Sequence, residues 1–212
     1  MILLTGFEPF GGDTTNPSID AARLAAAALN ASGIDAAAEQ LPCVFAQAPA
    51  ALGAAIERHG PDVVVCVGLA AGRGAVSLER VAVNLIDARI PDNAGEQPVD
   101  RAVEAGGPAA YFGTLPVKRA LRALEAGGLE GRISQTAGTY VCNQVFYALM
   151  HILRTRGGSV RGGFVHVPPV GDPGRAGAAA PGLEALSRAL QVIALQALDP
   201  SPDAALAAGA EH

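Results

Sequence analysis

The residue with the clearest potential for chemistry is Cys142, in the segment GTYVCNQVFYALMHIL. It lies near the start of a predicted helix from Val141 to Arg156. The first turn of a helix carries unpaired backbone N–H groups and a partial positive charge, which stabilise a thiolate and can hold an oxyanion. Cys142 is therefore a candidate nucleophile, and a buried helical cysteine with a structural role is the alternative.

A general base for such a thiol would have to come from four histidines. His166 ends the predicted strand GFVHVPP, where the chain turns at two prolines, and this carboxyl strand end suits a base better than the other three positions. His59 ends a predicted helix, His151 lies in mid-helix and His212 is in the tail. The alternative for His166 is a hydrogen-bonded core histidine.

A carboxylate is needed to orient the imidazole and to stabilise its charged form. Five acids follow a predicted strand or flank one, and their spacing does not choose among them: Glu8, Asp13, Glu79, Asp87 and Asp92.

The remaining cysteines and glycine-rich segments are less informative. Cys66, within VVVCVG, is expected in the core, whereas Cys43 lies near a strand end and could line a pocket. No Cys-x-x-Cys spacing indicates a zinc site. GFEPFGG and GLAAGRG match neither common phosphate-binding motif. Phe7 and Phe10 suggest an apolar patch at a carboxyl strand end, although core packing would explain them equally well.

The elements that must position these residues alternate between strand and helix. Apolar runs and turn signals predict strands at 2–6, 36–45, 62–68, 78–88, 132–135 and 163–167. Helices are predicted at 16–29, 46–59, 116–125, 141–156 and 182–198, with little regular structure at 89–113. The pattern indicates an α/β fold, a single-domain three-layer α/β/α sandwich with a mostly parallel twisted sheet. We expect one domain over residues 1–200 and a flexible tail over 201–212.

Composition excludes several classes of function. The 15 basic residues are scattered among 20 acidic ones, for a formal charge of -5, so nucleic acid is not an expected partner. No apolar run is long enough for a membrane span, and the N-terminus does not resemble a signal peptide. Three cysteines, an odd number, indicate a reducing compartment, and we expect a cytoplasmic protein.

Five segments together resemble the pyroglutamyl-peptidase I family, the pyrrolidone-carboxylate peptidases. They are TGFEPFGG with the NPS that follows, GLAAGRGAVSLERVAVNLIDARIPDNAGEQP, GGPAAYFGTLPVKRAL, AGTYVCNQVFY and GFVHVP. They run in order from Ile2 to Val167.

The resemblance implies the residues of the site. The family's catalytic set falls on Glu79, Cys142 and His166. Its apolar pocket for the substrate, and an arginine near the reacting carbonyl, fall on Phe7, Phe10, Ile90, Tyr140, Val141 and Arg89. The chain departs from the commoner pattern at Leu69, at Cys43 and in the PPVGDPGR run after His166, which affects the shape of the pocket and leaves the catalytic set intact.

The resemblance also implies the activity. The protein would be a cysteine exopeptidase that hydrolyses the bond after an N-terminal L-pyroglutamyl residue of a peptide, through a thioester acyl-enzyme. By the same resemblance it would be a homotetramer without metal or cofactor. Two rival hypotheses remain open. One is a nucleoside phosphorylase or other phosphate-using enzyme on a similar sheet, which would not need a thiol, and the other is a binding protein that has lost turnover.

Overall fold

The computed structural model describes residues 1–171 and 181–209 as strands and helices in near alternation. The bounds of the elements in chain order are β1 Ile2–Phe7, α1 Pro17–Ala31, β2 Ala36–Leu41, α2 Ala48–His59, β3 Val63–Leu69, β4 Val76–Glu79, β5 Val81–Val83, β6 Ala110–Phe112, α3 Val117–Ala126, β7 Gly131–Ser134, α4 Val141–Arg156, β8 Arg161–Val167 and α5 Leu183–Leu198.

Six of these strands form the central sheet, in the order β2-β1-β3-β8-β4-β7. The pairs β1–β2, β1–β3, β3–β8 and β4–β7 are parallel, and β4–β8 is antiparallel. β4 and β7 therefore run opposite to the other four strands. The predicted α/β fold with a mostly parallel sheet is confirmed, but the reversal of β4 and β7 could not be read from local sequence.

Helices cover both faces of the sheet because its inner strands β1 and β3 are buried on both sides. One core cluster contains Val65 and Val165 and joins the sheet to α1, α3 and α5. The other contains Cys66 and Phe164 and joins it to α2 and α4. β3 lies between β1 and β8, with all residues from Val63 to Gly68 buried. The three layers expected from the sequence are thus present, and Cys66 is a core residue as predicted.

The predicted strand at 78–88 is wrong as a single element. Its first part belongs to β4 in the central sheet, whereas β5 pairs with β6 in a separate two-stranded sheet. The chain passes from one sheet to the other at Arg80. The backbone N–H of Arg80 donates to the carbonyl of Ser134, in β7 of the central sheet, and its carbonyl accepts from the backbone N–H of Gly113, which follows β6 of the small sheet. β6 also lies within the 89–113 segment, for which little regular structure was predicted.

The C-terminal segment is bound to the domain as far as Asp203. The Asp203 carboxylate accepts hydrogen bonds from the backbone N–H groups of Lys118 and Arg119, at 3.1 and 2.7 Å, and so caps the N-terminus of α3. The Arg119 side chain donates in turn to the carbonyls of Ser201 and Asp199. Hydrogen bonds therefore reach into the segment predicted to be flexible, while the division of the chain at residue 200 stays a prediction.

A membrane-spanning helix would need a long apolar stretch, and none of the helices in 1–171 and 181–209 provides one.

Candidate active site

Side chains from separate elements converge on the α2/α4 face of the sheet. Successive side chains of a strand point to opposite faces, so His166 shares the face of Phe164, two residues earlier. The two rings have centroids 4.9 Å apart. Helix α4 packs on the same face and carries Cys142 as its second residue. The predicted base and the predicted nucleophile therefore lie on the same side of the sheet.

Glu79 reaches His166 from the antiparallel strand β4. The register places Ser77 opposite His166 and Glu79 opposite Phe164, so Glu79 is a diagonal neighbour that a long side chain can bridge. Leu78 belongs to the core on the other face, which leaves Glu79 on the face of His166. Glu79 Oε1 lies 2.7 Å from His166 Nδ1. Both residues are almost inaccessible, at 1% and 4% exposure, so water does not compete for this bond.

This contact decides how the imidazole can work. A carboxylate only accepts hydrogen bonds, so Nδ1 of a neutral His166 carries the hydrogen that bonds to Glu79. The proton-accepting nitrogen is then Nε2. That arrangement is the one a general base needs when a carboxylate orients it.

The other carboxyl candidates are occupied elsewhere or exposed. Glu8 Oε1 accepts from the backbone N–H of Cys43 at 3.0 Å, and Asp92 Oδ2 accepts from that of Phe45 at 2.8 Å. These two acids hold the β2–α2 loop in place. The remaining two lie at the surface, Asp13 and Asp87. Among the described residues, only Glu79 forms a hydrogen bond with the side chain of His166.

The Cys142 thiol lies over Gly68, the residue that pairs with His166 in the β3–β8 register. A Cβ atom built on Gly68 would come within 2.9 Å of Cys142 Sγ and within 2.9 Å of the Phe164 ring. Glycine is therefore required at this position because the thiol and the ring occupy the space of any side chain. The same close approach puts the thiol beside the strand residue next to His166.

Burial raises the pKa of the Cys142 thiol well above its ordinary value. The nearby Cys43 and Glu79 raise it further, while the Arg73 cation and the backbone N–H of Cys142 itself at the helix start lower it. Burial is the largest of these effects, so the thiol is protonated in the free protein at neutral pH. A thiolate at this site needs a base to accept its proton.

Arg73 is a residue of this site that was not predicted from the sequence. It follows β3 in the glycine-rich loop GLAAGRG, and its Nη1 donates to Glu79 Oε1 at 2.5 Å. Its Nη2 donates to the Thr136 carbonyl at 2.9 Å. The signal that could have found it is its place in a loop at the carboxyl end of a buried strand.

An aromatic cluster stands beside the thiol. The Tyr140 ring lies 6.3 Å from the ring of Phe10 and 5.1 Å from that of Phe45, edge to face in the second pair. The Tyr140 hydroxyl donates to the Pro91 carbonyl at 3.0 Å, and burial raises its pKa, so it stays protonated. Phe10 and Tyr140 are partly accessible, as a pocket wall must be. Phe45 was not among the predicted pocket residues.

Two predicted pocket residues lie beneath this surface. Phe7 is 2% exposed and packs its ring 6.4 Å from that of Phe164, and Val141 is fully buried. Both support the wall from behind.

The other two predicted pocket residues, Arg89 and Ile90, lie on the loop after β5. Thr139 and Asp87 exchange two hydrogen bonds, at 3.0 and 2.8 Å, which fix this loop against the turn before Cys142. Arg89 and Ile90 follow directly, the first exposed and the second half-buried.

Cys43 is a thiol on the inner side of the aromatic cluster. It is 3% exposed, and burial raises its pKa to about 11, with Glu8 and Asp92 also raising it and Tyr140 lowering it. Its carbonyl accepts from the backbone N–H of Asn93. Leu69, the other departure from the family pattern, ends β3 and pairs with Val167. The part of the PPVGDPGR run at 172–175 lies outside the described residues, as does His212.

The two other described histidines serve elsewhere. His59 Nε2 lies 2.7 Å from Glu39 Oε1, and His151 Nδ1 lies 2.9 Å from the Tyr111 hydroxyl. The parts of the chain that the structure describes contain no group of three or more His, Cys, Asp or Glu residues that could hold a metal ion.

Comparisons with known proteins agree on one family. The model of the pyroglutamyl peptidase family matches residues 1–198, so the match includes the C-terminal helix α5. A pyrrolidone-carboxylate peptidase of Klebsiella pneumoniae is 48% identical over 100% of this chain and 99% of its own length. One of Gloeobacter violaceus is 55% identical over 79% of this chain and 80% of its own.

Solved structures agree with these sequence matches. The pyroglutamyl peptidase I of Bacillus amyloliquefaciens superposes with a TM-score of 0.89 at 41% identity, and the match covers 97% of this chain and 98% of that one. A variant of the pyrrolidone carboxyl peptidase of Pyrococcus furiosus superposes with a TM-score of 0.83 at 39% identity over 93% and 97%. A buried carboxylate–imidazole pair beside a thiol at a helix start, on this fold and with these relatives, leads to one conclusion: the chain belongs to the pyroglutamyl peptidase family.

Proposed function

We propose that this protein is a cysteine peptidase that removes an N-terminal pyroglutamyl residue from peptides, with Cys142 as nucleophile, His166 as general base and acid, and Glu79 as the residue that orients the imidazole. The observation that carries the assignment of roles is the buried contact of 2.7 Å between Glu79 Oε1 and His166 Nδ1. It leaves Nε2 to exchange protons with a thiol whose pKa is too high for it to ionise without a base.

The reaction proceeds in two halves. His166 Nε2 takes the proton of Cys142 as Sγ attacks the pyroglutamyl carbonyl carbon, and the imidazolium then protonates the departing amine as the C–N bond breaks. The product is a thioester between Cys142 and the pyroglutamyl group. His166 next deprotonates a water molecule that attacks this thioester, and it returns the proton to the sulfur as pyroglutamate leaves.

Charge that develops on the carbonyl oxygen needs donors in place. The backbone N–H of Cys142, in the first turn of α4, carries the partial positive charge of a helix start. Arg89 is exposed on the loop that Asp87 and Thr139 fix against this turn, and it supplies the second donor.

Recognition of the pyroglutamyl ring rests on apolar contacts. The ring is a neutral lactam, so the substrate has no terminal ammonium for a carboxylate to bind. Phe10 and Tyr140 form the wall beside the thiol with Phe45, while Phe7 and Val141 support it from below. Ile90 directly precedes Pro91, whose carbonyl accepts from the Tyr140 hydroxyl. The nearest loop carboxylates, Glu8 and Asp92, are already bonded to backbone N–H groups. An amino group would therefore enter this site without a partner.

Hydrolysis of pyroglutamyl-7-amido-4-methylcoumarin tests the proposal. We expect release of the fluorophore that iodoacetamide abolishes, and no release from the prolyl analogue, which has the ring and an amine in place of the lactam. Turnover that survives alkylation would favour an enzyme that does not use a thiol. A folded, reduced protein that binds pyroglutamyl peptides without cleaving them would be the binding protein considered above.

Replacement of Gly68 by alanine should displace the nucleophile. The new methyl group would lie 2.9 Å from Cys142 Sγ, closer than carbon and sulfur can approach. A shift of the thiol by about 1 Å would lower kcat on the order of 100-fold. The matched control is Gly74→Ala, because a Cβ at that loop glycine meets nothing within 4 Å. Wild-type kcat in folded Gly68→Ala would contradict the placement of Cys142 over β3.

Association into a homotetramer is part of the proposal. Phe112 on the two-stranded sheet is 70% exposed, and Leu24 on α1 and Leu195 and Leu198 on α5 are 37–42% exposed on adjoining helices. Large apolar side chains exposed on two separate faces suit the two kinds of contact of a dimer of dimers. Light scattering should give four times the mass of the chain.

Three unpaired cysteines support a cytoplasmic location, and neither nucleic acid nor a membrane is proposed as a partner.

A further inference from the structure

The Glu79 carboxylate is buried in a way that needs explanation. Its side chain is 0% exposed, and an ionised carboxylate in such a place is costly unless positive charge compensates it. His166 is neutral at the moment when it must accept a proton from Cys142, so it supplies no positive charge then. The compensating charge comes from Arg73, whose Nη1 donates to the same Oε1 atom that His166 Nδ1 contacts.

We propose that Arg73 is a positioning residue of the reaction, which places a compensating positive charge on the buried Glu79 carboxylate, holds it against His166 and ties it to the chain segment leading into the nucleophile. The inference rests on the proposed function and goes beyond its three residues. Arg73 touches neither the thiol nor the imidazole within hydrogen-bonding distance in the described structure, so it acts through Glu79.

The second hydrogen bond of Arg73 shows why an arginine is required. Nη2 donates to the carbonyl of Thr136, at 2.9 Å, six residues before Cys142. The backbone N–H of Arg73 donates to Ala70 at 3.0 Å and closes the turn that carries the side chain. One planar guanidinium thus bonds both to the Glu79 carboxylate and to the segment before α4. The single ammonium group of a lysine could form only one of these two hydrogen bonds at a time.

The charges around His166 predict the effect of losing Arg73. The titratable or charged groups around it are Glu79 from β4, in direct contact, the Arg73 guanidinium from the β3–β4 loop, in contact with Glu79, and the Cys142 thiol from α4, on the same face of the sheet. Without the guanidinium, the carboxylate has only the imidazole to neutralise it. The protonated imidazole is then favoured, and a protonated imidazole cannot accept the thiol proton.

The test compares Arg73→Gln and Arg73→Lys with wild type across pH 5 to 9, using the pyroglutamyl coumarin substrate. In Arg73→Gln we expect the acidic limb of the kcat/KM profile to move to higher pH, and kcat at neutral pH to fall roughly 100-fold. KM should change little because Arg73 does not line the aromatic wall. Arg73→Lys keeps the charge, so its acidic limb should stay near that of wild type while kcat falls about tenfold.

The control is Arg132→Gln, which removes an exposed arginine whose side chain makes no hydrogen bond to the described residues. It should match wild type in every parameter. A kcat loss in Arg73→Gln with an unmoved acidic limb, or Arg73→Lys no better than Arg73→Gln, would mean that Arg73 is only structural. If Arg73→Gln does not fold, wild-type kcat in Arg73→Lys would overturn the inference. Lack of turnover by the wild-type protein would instead overturn the proposed function.

Discussion

Replacing Cys142 by alanine should lower kcat for pyroglutamyl coumarin by about 10⁴-fold or more, because the reaction loses the atom that bonds to the acyl group. The protein should remain folded, since Cys142 contributes to the core only as a partly buried neighbour. Circular dichroism and initial rates measured on the same preparation would check both statements.

The matched control removes a different thiol from the same face of the sheet. Cys66 lies two residues before Gly68 on β3 and is fully buried, so Cys66→Ala should lose some stability and keep turnover within a few-fold of wild type. Iodoacetamide labelling should find its target at Cys142, because Cys43 and Cys66 are buried whereas Cys142 is partly accessible. Substantial turnover by Cys142→Ala would end the case for this nucleophile.

Glu79→Gln should be the next most damaging change, with kcat reduced about 10³- to 10⁴-fold. The amide keeps the shape of the side chain but removes the negative charge that stabilises the imidazolium formed during attack. It also leaves the guanidinium of Arg73 beside a neutral group. Glu125→Gln, an exposed glutamate on α3, is the control and should leave kcat unchanged. The kcat values of both variants can be measured with the coumarin assay at several substrate concentrations.

The direction of the pH shift separates Glu79 from Arg73. Loss of an anion beside His166 disfavours the protonated imidazole, so the acidic limb of the residual activity in Glu79→Gln should move to lower pH. Loss of the cation in Arg73→Gln should move it to higher pH. Shifts of the same sign in both variants would contradict the ion-pair geometry from which both predictions are drawn.

Much of the fold could be predicted because its signals are local. The continuous apolar run of β3 indicated a central strand, and β3 lies between two parallel neighbours. The predicted bounds of α4 match its observed bounds, Val141–Arg156, because helix periodicity and the residues at a helix end act over a few positions. The predicted strand at 78–88 failed because an apolar run does not reveal that a chain leaves one sheet and enters another at Arg80.

The candidate site, like the fold, could be predicted only in part from the sequence. Residue type and local placement made Cys142 and His166 candidates, but left five acids as the third group. The family resemblance implied Glu79, and the structure places its carboxylate on His166 through the reversal of β4, which no spacing along the chain encodes. The only signal for Arg73 was its place in a loop at the carboxyl end of a strand, and Phe45 had none, since their partners Glu79 and Tyr140 lie in other parts of the chain.

The sequence alone thus determined the alternation of strands and helices and the placement of the thiol at a helix start, since propensity and periodicity depend on near neighbours. Only the tertiary structure decided that β4 runs against β8, that Gly68 leaves room for the Cys142 thiol, and that one carboxylate oxygen meets both the imidazole and the guanidinium. Those facts depend on the register and direction of strands far apart in the chain, and packing free energy summed over the whole core selects them.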